Sequence, residues 1–464
     1  MLFNSTAYLL FFLPIVFAAY WTLARFLPRE GRAGFLILAS LVFYGWFAPK
    51  AVLFLLAMTA LNWALSGPLS RRTGGRALLA VAVTLDLLPL VFYKYTTFLF
   101  PSLAGVWKLA APLGISYFTF VQIAFVVDTF RGKAVGSLAD YLLASVFWPK
   151  TVAGPIVRPA AFAAQWRRPV NRRFLSHRMI LGLFVFILGL GKKVVIADPL
   201  GAIADWGWGP HAGALTAGAA WLSTFAYTLQ LYFDFSGYSD MAWGSAILFN
   251  VKLPWNFDSP YLSASIQEFW RRWHISLSLW LRDYLYFTFG GSRRGLARTL
   301  RNVMLTFVIG GIWHGAGWTF VIWGALHGLM LSVQNLWRKL QPRRLPKFAG
   351  GLLTALGVHV AWVFFRAPDV GAAGRMLKSM VLGGETPYDW SESSPLLTGA
   401  FVAVAALILF LPNTHALMQV LARRLRSNAA VALAGAACGA VALLSLVCGL
   451  SDGLPQTPFV YFKF

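Results

Sequence analysis

The first place in this chain where chemistry could happen is Gly310-Gly311-Ile312-Trp313-His314-Gly315-Ala316-Gly317, inside the apolar run Val303 to Asn335. Ionisable groups within a bilayer are costly and mark function by default. Each of the glycines weakens a helix by about 1 kcal/mol against alanine. Irregular backbone at membrane depth is tolerated only where it is buried in protein or lines a cavity. The stretch therefore predicts a broken helix with His314 facing a cavity. A second reading stands beside it: a buried histidine that hydrogen-bonds a neighbour and helps pack two helices. A neutral imidazole can act as a general base on a hydroxyl or carry an acyl group itself, and both suit acyl transfer. No Ser-His-Asp order or G-x-S-x-G elbow suggests a soluble hydrolase.

Two further stretches are too polar for lipid. Ser263 to Gly290 contains Ser265 with Glu268 three residues on, a capping box, and Glu268 with Arg272 at helical i,i+4 spacing. Trp270, Trp273, His274, Leu277, Trp280, Leu281 and Tyr284 share one face of an expected amphipathic helix at the cytoplasmic interface, with Arg271, Arg272 and Asp283 elsewhere. His274 reads either as an interfacial histidine or as a second catalytic one. Upstream, Asp234, Ser236, Ser239 and Asp240 close an apolar segment. They would either line a cavity and orient a histidine through its second N–H, or form a capped helix end. His327 lies 13 residues beyond His314; on one helix that is about 20 Å, too far to share a reacting centre. His177, His211, His359 and His415 read as loop or helix-edge residues.

The elements that must position these groups are apolar helices. Of 464 residues, 58% are hydrophobic and 12% charged, with 20 Trp, which excludes an ordinary soluble enzyme. Apolar segments follow at 7–24, 33–48, 51–67, 77–93, 113–127, 140–157, 178–197, 214–234, 303–335, 348–365, 396–411 and 428–450. Several are short of a full span, so about 11 spans with re-entrant pieces are expected, in one membrane domain covering 1–464. Segment 140–157 is interrupted by Pro149, Lys150, Gly154 and Pro155.

The net charge of +24 is chiefly a topological signal. No basic region precedes the first segment, which argues against a cleavable signal, while Arg25, Arg29 and Arg32 follow it. This puts the N-terminus outside. Arg71, Arg72 and Arg76, then Arg338 to Lys347, then Arg423 to Arg426 mark inside loops. The acidic stretch 367–395 falls outside, and so does the C-terminus. Basic residues flank the His314 run at both ends, from Arg293 to Arg301 and at Arg338 and Lys339. Two complete spans would need about 40 residues, more than the apolar run has, so a pair that dips in, breaks and returns is expected. Cys438 and Cys448 are ten helical residues apart, about 15 Å, too far for a disulfide, and no Cys/His spacing suggests a metal. Nucleic acid is not an expected partner.

Taken together, LYFDFSGYSDMA (231–242), FWRRWHISLSLWLRDYLYFTFGG (269–291) and GGIWHGAGWTFVIWGALHG (310–328) closely resemble the membrane-bound O-acyltransferase family. The bacterial alginate O-acetylase branch is the nearest, and D-alanyl transfer proteins are cousins. The opening 21 residues, PLGISYFTF (112–120), AGPIVRP (153–159), WVFFRA (362–367) and TPFVYFKF (457–464) extend the likeness along the chain. The resemblance implies an all-α ring of transmembrane helices around a thinned centre, with cytoplasmic and outer funnels and a catalytic core over 231–337. It implies that His314 is the catalytic histidine of a Trp-His-Gly motif and His274 a second one. Trp313, Trp273, Asp234, Ser236, Tyr238, Asp240, Arg282 and Asp283 would line the tunnel. It implies no bound cofactor, a cytoplasmic acyl thioester such as acetyl-CoA as donor, and a periplasmic acyltransferase partner that passes the group to an exported polysaccharide. The tail Phe459-x-Tyr461-Phe462-x-Phe464 is similar to one that meets such partners. Lys150 and Thr151 depart from the family pattern, which leaves funnel selectivity open. D-alanyl transfer from a carrier protein, and a non-enzymatic transporter, are the alternatives.

Overall fold

The computed structural model describes residues 1–103, 111–133, 135–209, 214–341, 345–387, 395–424, 435, 439, 459 and 460. His211, the acidic residues Asp389 and Glu392, and both cysteines lie outside the described residues. So does the last apolar segment apart from Gly435 and Gly439. The fold is helical; among the described residues the only β-type pairing is a bridge between Leu215 and Thr386. The chain forms two compact units, Met1–Gly189 with Tyr238–Pro254 and Leu421–Cys438, and Leu190–Gly237 with Trp255–Val420 and Gly439–Phe464. The 231–337 region is therefore shared between them.

The first unit contains α1 (Leu13–Leu23), α2 (Arg29–Gly45), α3 (Pro49–Ser70), α4 (Gly75–Leu99) and α5 (Ile115–Phe130). Next come α6 (Leu138–Val146), α7 (Trp148–Thr151), α8 (Pro159–Trp166) and most of α9 (Ser176–Gly191). Its outside is apolar and its inside partly polar, as suits a protein solvated by lipid. Leu53 on α3 is 71% exposed, while Asn62, Asp86 and Gln122 are buried. Asn62 donates to Asp86 Oδ1 (2.7 Å) and to Gln122 Oε1 (3.0 Å), and the Tyr141 hydroxyl also donates to Gln122, so α3, α4, α5 and α6 are tied by one network. The interruption expected in 140–157 is present. α6 ends at Val146, α7 is a single turn, and Lys150 is buried.

The second unit holds α10 (Asp198–Gly207), the first part of α11 (Ala217–Ile247), α12 (Ile266–Arg272), α13 (Ile275–Trp280) and α14 (Leu296–His314). It continues with α15 (Trp318–Leu340), α16 (Lys347–Arg366), α17 (Val370–Leu382), α18 (Pro395–Ile408) and most of α19 (Thr414–Arg424). Helix α11 runs for 31 residues, so Asp234 and Ser236 stand in a helix interior. The helix-end reading of that stretch is overturned: no breaker follows Gly237, and Asp234 finds a lysine instead of a cap. α9 and α10 join through a π-helical turn, Lys192–Ala197.

Four of the described stretches are long and apolar enough to cross a membrane: Pro49–Ser70, Gly75–Leu99, Ser176–Gly207 and Lys347–Arg366. Ala7–Leu23, Ile115–Phe130 and Thr398–Ile408 are shorter apolar helices.

Candidate active site

Helices α14 and α15 form the antiparallel hairpin that carries His314. The break expected here exists but is narrower than the glycines suggested: only 315–317 leave the helix. Gly310 and Gly311 are helical, and the reason is packing. A Cβ on Gly311 would stand 2.2 Å from the Phe320 carbonyl oxygen, and one on Gly324 2.3 Å from that of Phe307. The two backbones touch at these glycines. The helices have 19 and 23 residues, about 28 and 34 Å. They extend beyond the apolar run at both ends, and neither is among the described stretches long and apolar enough to cross a membrane. Both basic ends, Arg298 and Arg338, accordingly lie at the same end of the hairpin.

His314 is the last residue of α14 and is buried. Aromatic rings surround it: Trp313 at 4.8 Å between centroids, Trp323 at 4.9 Å and Phe365 at 5.2 Å, all close to edge-on. Such geometry directs ring hydrogens at π faces and fixes the imidazole plane.

His274 is not on one continuous helix. The amphipathic helix expected over 263–290 is three pieces: α12, α13 and a π-helical turn, Leu281–Tyr286. His274 stands at the first break with φ 41° and ψ 55°, a left-handed conformation rare for a non-glycine residue. The segment Asn256–Asp258 imposes it. Asp258 N–H donates to Arg272 O (3.0 Å) and Ile275 N–H to the Asn256 carbonyl (3.0 Å). Ser276 N–H donates to Asn256 Oδ1 (3.2 Å). Strained backbone held by surrounding bonds is common at functional sites. The imidazole is fully buried, and Phe235 of α11 meets it at 4.7 Å, edge-on. The expected cap and ion pair are present, with the return bond of the box made one residue earlier, at Ala264. Ser265 Oγ accepts from Glu268 N–H, Glu268 reaches back to Ala264 N–H (3.0 Å), and Glu268 pairs with Arg272 at 2.7 Å.

The structure brings the two histidines into one aromatic core. Trp273, beside His274, packs on Trp362 (5.0 Å), Trp362 on Phe365 (5.4 Å), and Phe365 on His314. Asp234 serves neither histidine. It pairs with Lys193 at 2.6 Å and accepts from Val460 N–H at 3.0 Å, while Lys193 also pairs with Asp198 at 2.7 Å. Phe459 covers the ammonium at 4.8 Å. Ser236 is buried in the same unit. Tyr238 and Asp240 belong to the first unit, where Tyr238 packs on Phe3 at 4.9 Å. Arg282 is half-exposed and pairs with its neighbour Asp283 at 2.7 Å.

Two histidines stand elsewhere than the sequence predicts. His327 sits on α15, a different helix from His314, and the single ring of Trp323 touches both, at 4.7 Å and 4.9 Å. The 20 Å separation assumed a continuous helix, and the chain reverses at 315–317. His359 is buried within α16, its Nδ1 2.9 Å from Thr228 Oγ1. His177 is exposed and His415 partly so, as expected. Lys193 passed unremarked, although a charged residue inside the apolar segment 178–197 was a readable signal.

The family model described as MBOAT, membrane-bound O-acyltransferase family, matches residues 115–370, a span that includes both His274 and His314. The chain is 38% identical over 423 residues to a peptidoglycan O-acetyltransferase of Helicobacter pylori, covering 82% of this chain and 80% of that one. It is 38% identical over 403 residues to the probable alginate O-acetylase AlgI of Pseudomonas aeruginosa, covering 82% and 75%. A teichoic acid D-alanyltransferase of Streptococcus thermophilus is 32% identical over 267 residues, 54% of this chain and 63% of its own. With the matched span containing a buried Trp-His-Gly at a helix break and a second buried histidine in the same core, the chain belongs to the membrane-bound O-acyltransferase family.

Proposed function

We propose that this protein is an O-acetyltransferase of the bacterial inner membrane. It takes an acetyl group from a cytoplasmic thioester, acetyl-CoA, and delivers it across the bilayer for O-acetylation of an exported polysaccharide. A periplasmic acyltransferase partner completes the delivery. The observation that carries this reading is His314, buried at the tip of a broken hairpin and linked by aromatic rings to a second buried histidine. In the reaction the acyl C–S bond breaks and a C–O bond forms. The accepting hydroxyl loses its proton to the His314 imidazole, which returns it to the departing thiolate. Transient acylation of His314 itself is the other route to the same products.

His274 orients the acyl group, and Trp313, Trp273, Ser236, Tyr238, Asp240, Arg282 and Asp283 line the path. Asp234 acts through its ion pair with Lys193. The working unit is a single catalytic domain with its core in 231–337. It is a ring of about 11 spans around a thinned centre with a funnel on each side, both termini outside.

The relatives act on two different cell-surface polymers at the same identity, so the acceptor is assigned only as a polysaccharide. The partial likeness to teichoic acid D-alanyltransferases keeps D-alanyl transfer from a carrier protein as the second reading. The test is to incubate purified protein with labelled acetyl-CoA and, separately, with a charged carrier protein. Consumption of acetyl-CoA that His314→Ala abolishes, at equal membrane abundance, is the expected result. Consumption of the charged carrier alone would favour the second reading. Solute movement without thioester consumption would mark a transporter, and unchanged turnover in His314→Ala would end the proposal.

A further inference from the structure

The core around His314 contains hydrogen-bond donors that no described residue accepts from. The Trp270 indole N–H donates to His327 Nδ1 at 3.2 Å. An indole nitrogen can only donate, so Nδ1 must be the acceptor and the imidazole proton must sit on Nε2. That Nε2–H is fully buried and has no hydrogen-bond partner among the described residues. The indole N–H of Trp323, one helical turn away on the same face of α15, is buried and also without one. Buried donors are almost always satisfied in folded proteins, and those that are not call for a specific explanation.

The position of these donors supplies one. The Trp323 ring lies 4.9 Å from His314 and 4.7 Å from His327, so one indole packs against both imidazoles and carries one of the two N–H groups itself. Phe269, Phe307 and Trp362 wall His327 with carbon at 6.1 to 6.4 Å between ring centroids. What two N–H donors in such a setting can take is an oxygen acceptor that needs no charge of its own in the ground state.

We propose that the Nε2–H of His327, supported by the Nε1–H of Trp323, binds the carbonyl oxygen of the acyl thioester while His314 acts on the acyl transfer. This rests on the acyl-transfer reading above and extends it to a third histidine. Negative charge grows on that oxygen as the tetrahedral transition state forms. Fixed donors in a water-poor site stabilise the charge more than the neutral ground state. The effect belongs to kcat more than to KM.

The test uses the full-length protein in lipid nanodiscs with labelled acetyl-CoA, comparing wild type, His314→Ala, His327→Phe and His327→Gln. The phenyl ring keeps the packing and removes the donor; the glutamine amide keeps an N–H. The expected result is a fall in kcat on the order of 10²-fold for His327→Phe with little change in KM, and recovery of most of that loss by His327→Gln. Equal kcat in His327→Phe and wild type, or equal loss in both His327 variants, overturns the inference while leaving the His314 reading intact. Wild-type protein inert toward acetyl-CoA sinks the parent reading and this one with it.

Should His327→Phe fail to accumulate, the infrared carbonyl band of carbon-13-labelled acetyl-CoA bound to His314→Ala protein decides. A band lowered by hydrogen bonding that rises when His327→Leu, which has no donor, is added supports the donor. A band that does not respond to that change, as when an ordered water alone meets His327, overturns it.

Discussion

Lys193 is a cation buried between two carboxylates, Asp198 and Asp234, at 2.7 and 2.6 Å. Removing one partner of a buried ionic cluster strands the others without solvent. Lys193→Met is therefore expected to destabilise the protein by about 3–5 kcal/mol, read as a lowered unfolding midpoint in detergent and a smaller membrane pool. Asp234→Asn should cost less, because Asp198 still neutralises the lysine and an amide oxygen still accepts from Val460. Equal destabilisation by the two would show that the cluster is not organised around the lysine. A second residue-scale expectation concerns His274. Its left-handed backbone suits asparagine and strains a β-branched side chain, by about 1–2 kcal/mol. His274→Asn should accumulate like wild type while losing acetyl transfer, and His274→Val should accumulate poorly. The reverse order of abundance would contradict the strain argument.

Among the elements, the α14–α15 hairpin brings backbone against backbone at two glycines, Gly311 and Gly324. The backbone approach at Gly311 and Gly324 leaves 2.2 and 2.3 Å for an added Cβ. Carbonyl oxygens cannot yield as a side chain can, so Gly324→Ala must push the helices apart. A loss of at least about 2 kcal/mol is expected, in the range of overpacked cores, together with lost activity as His314 moves. Gly317→Ala is the control: its backbone is extended, and a Cβ would meet only ordinary contacts at 3.6 Å or more. Thermal unfolding of the two variants side by side checks this, and equal stability would refute the close-packing account.

At the scale of the molecule, the proposed sidedness makes a prediction that a contact within the second unit sharpens. The bridge between Leu215 and Thr386 holds the segment before α11 against the segment after α17, so the proposal puts both on one face. In the proposed topology the acidic stretch 367–395 is exterior, and Arg298 and Arg338 at the open end of the hairpin are interior. In a cysteine-free background, Ala214→Cys and Glu385→Cys should both react with an impermeant thiol reagent applied from outside. Arg298→Cys should react only after the membrane is opened. Opposite labelling of positions 214 and 385 would rule out the shared face.

The sequence by itself determined whatever depends on neighbours along the chain. The Trp-His-Gly break, the Ser265 cap with Glu268, the Glu268–Arg272 pair, the interruption near Pro149 and the membrane class all follow from local composition and spacing. The family followed from motifs of the same local kind. Only the tertiary structure decided which glycines pack and which turn, that Asp234 meets Lys193 and not a histidine, and that His327 faces the same indole as His314. It also decided that His274 is held left-handed by Asn256 and Asp258. Each of these rests on a partner supplied by a distant segment or by a reversal of the chain. A reversal of three residues is enough to turn a 20 Å helical separation into two rings against one.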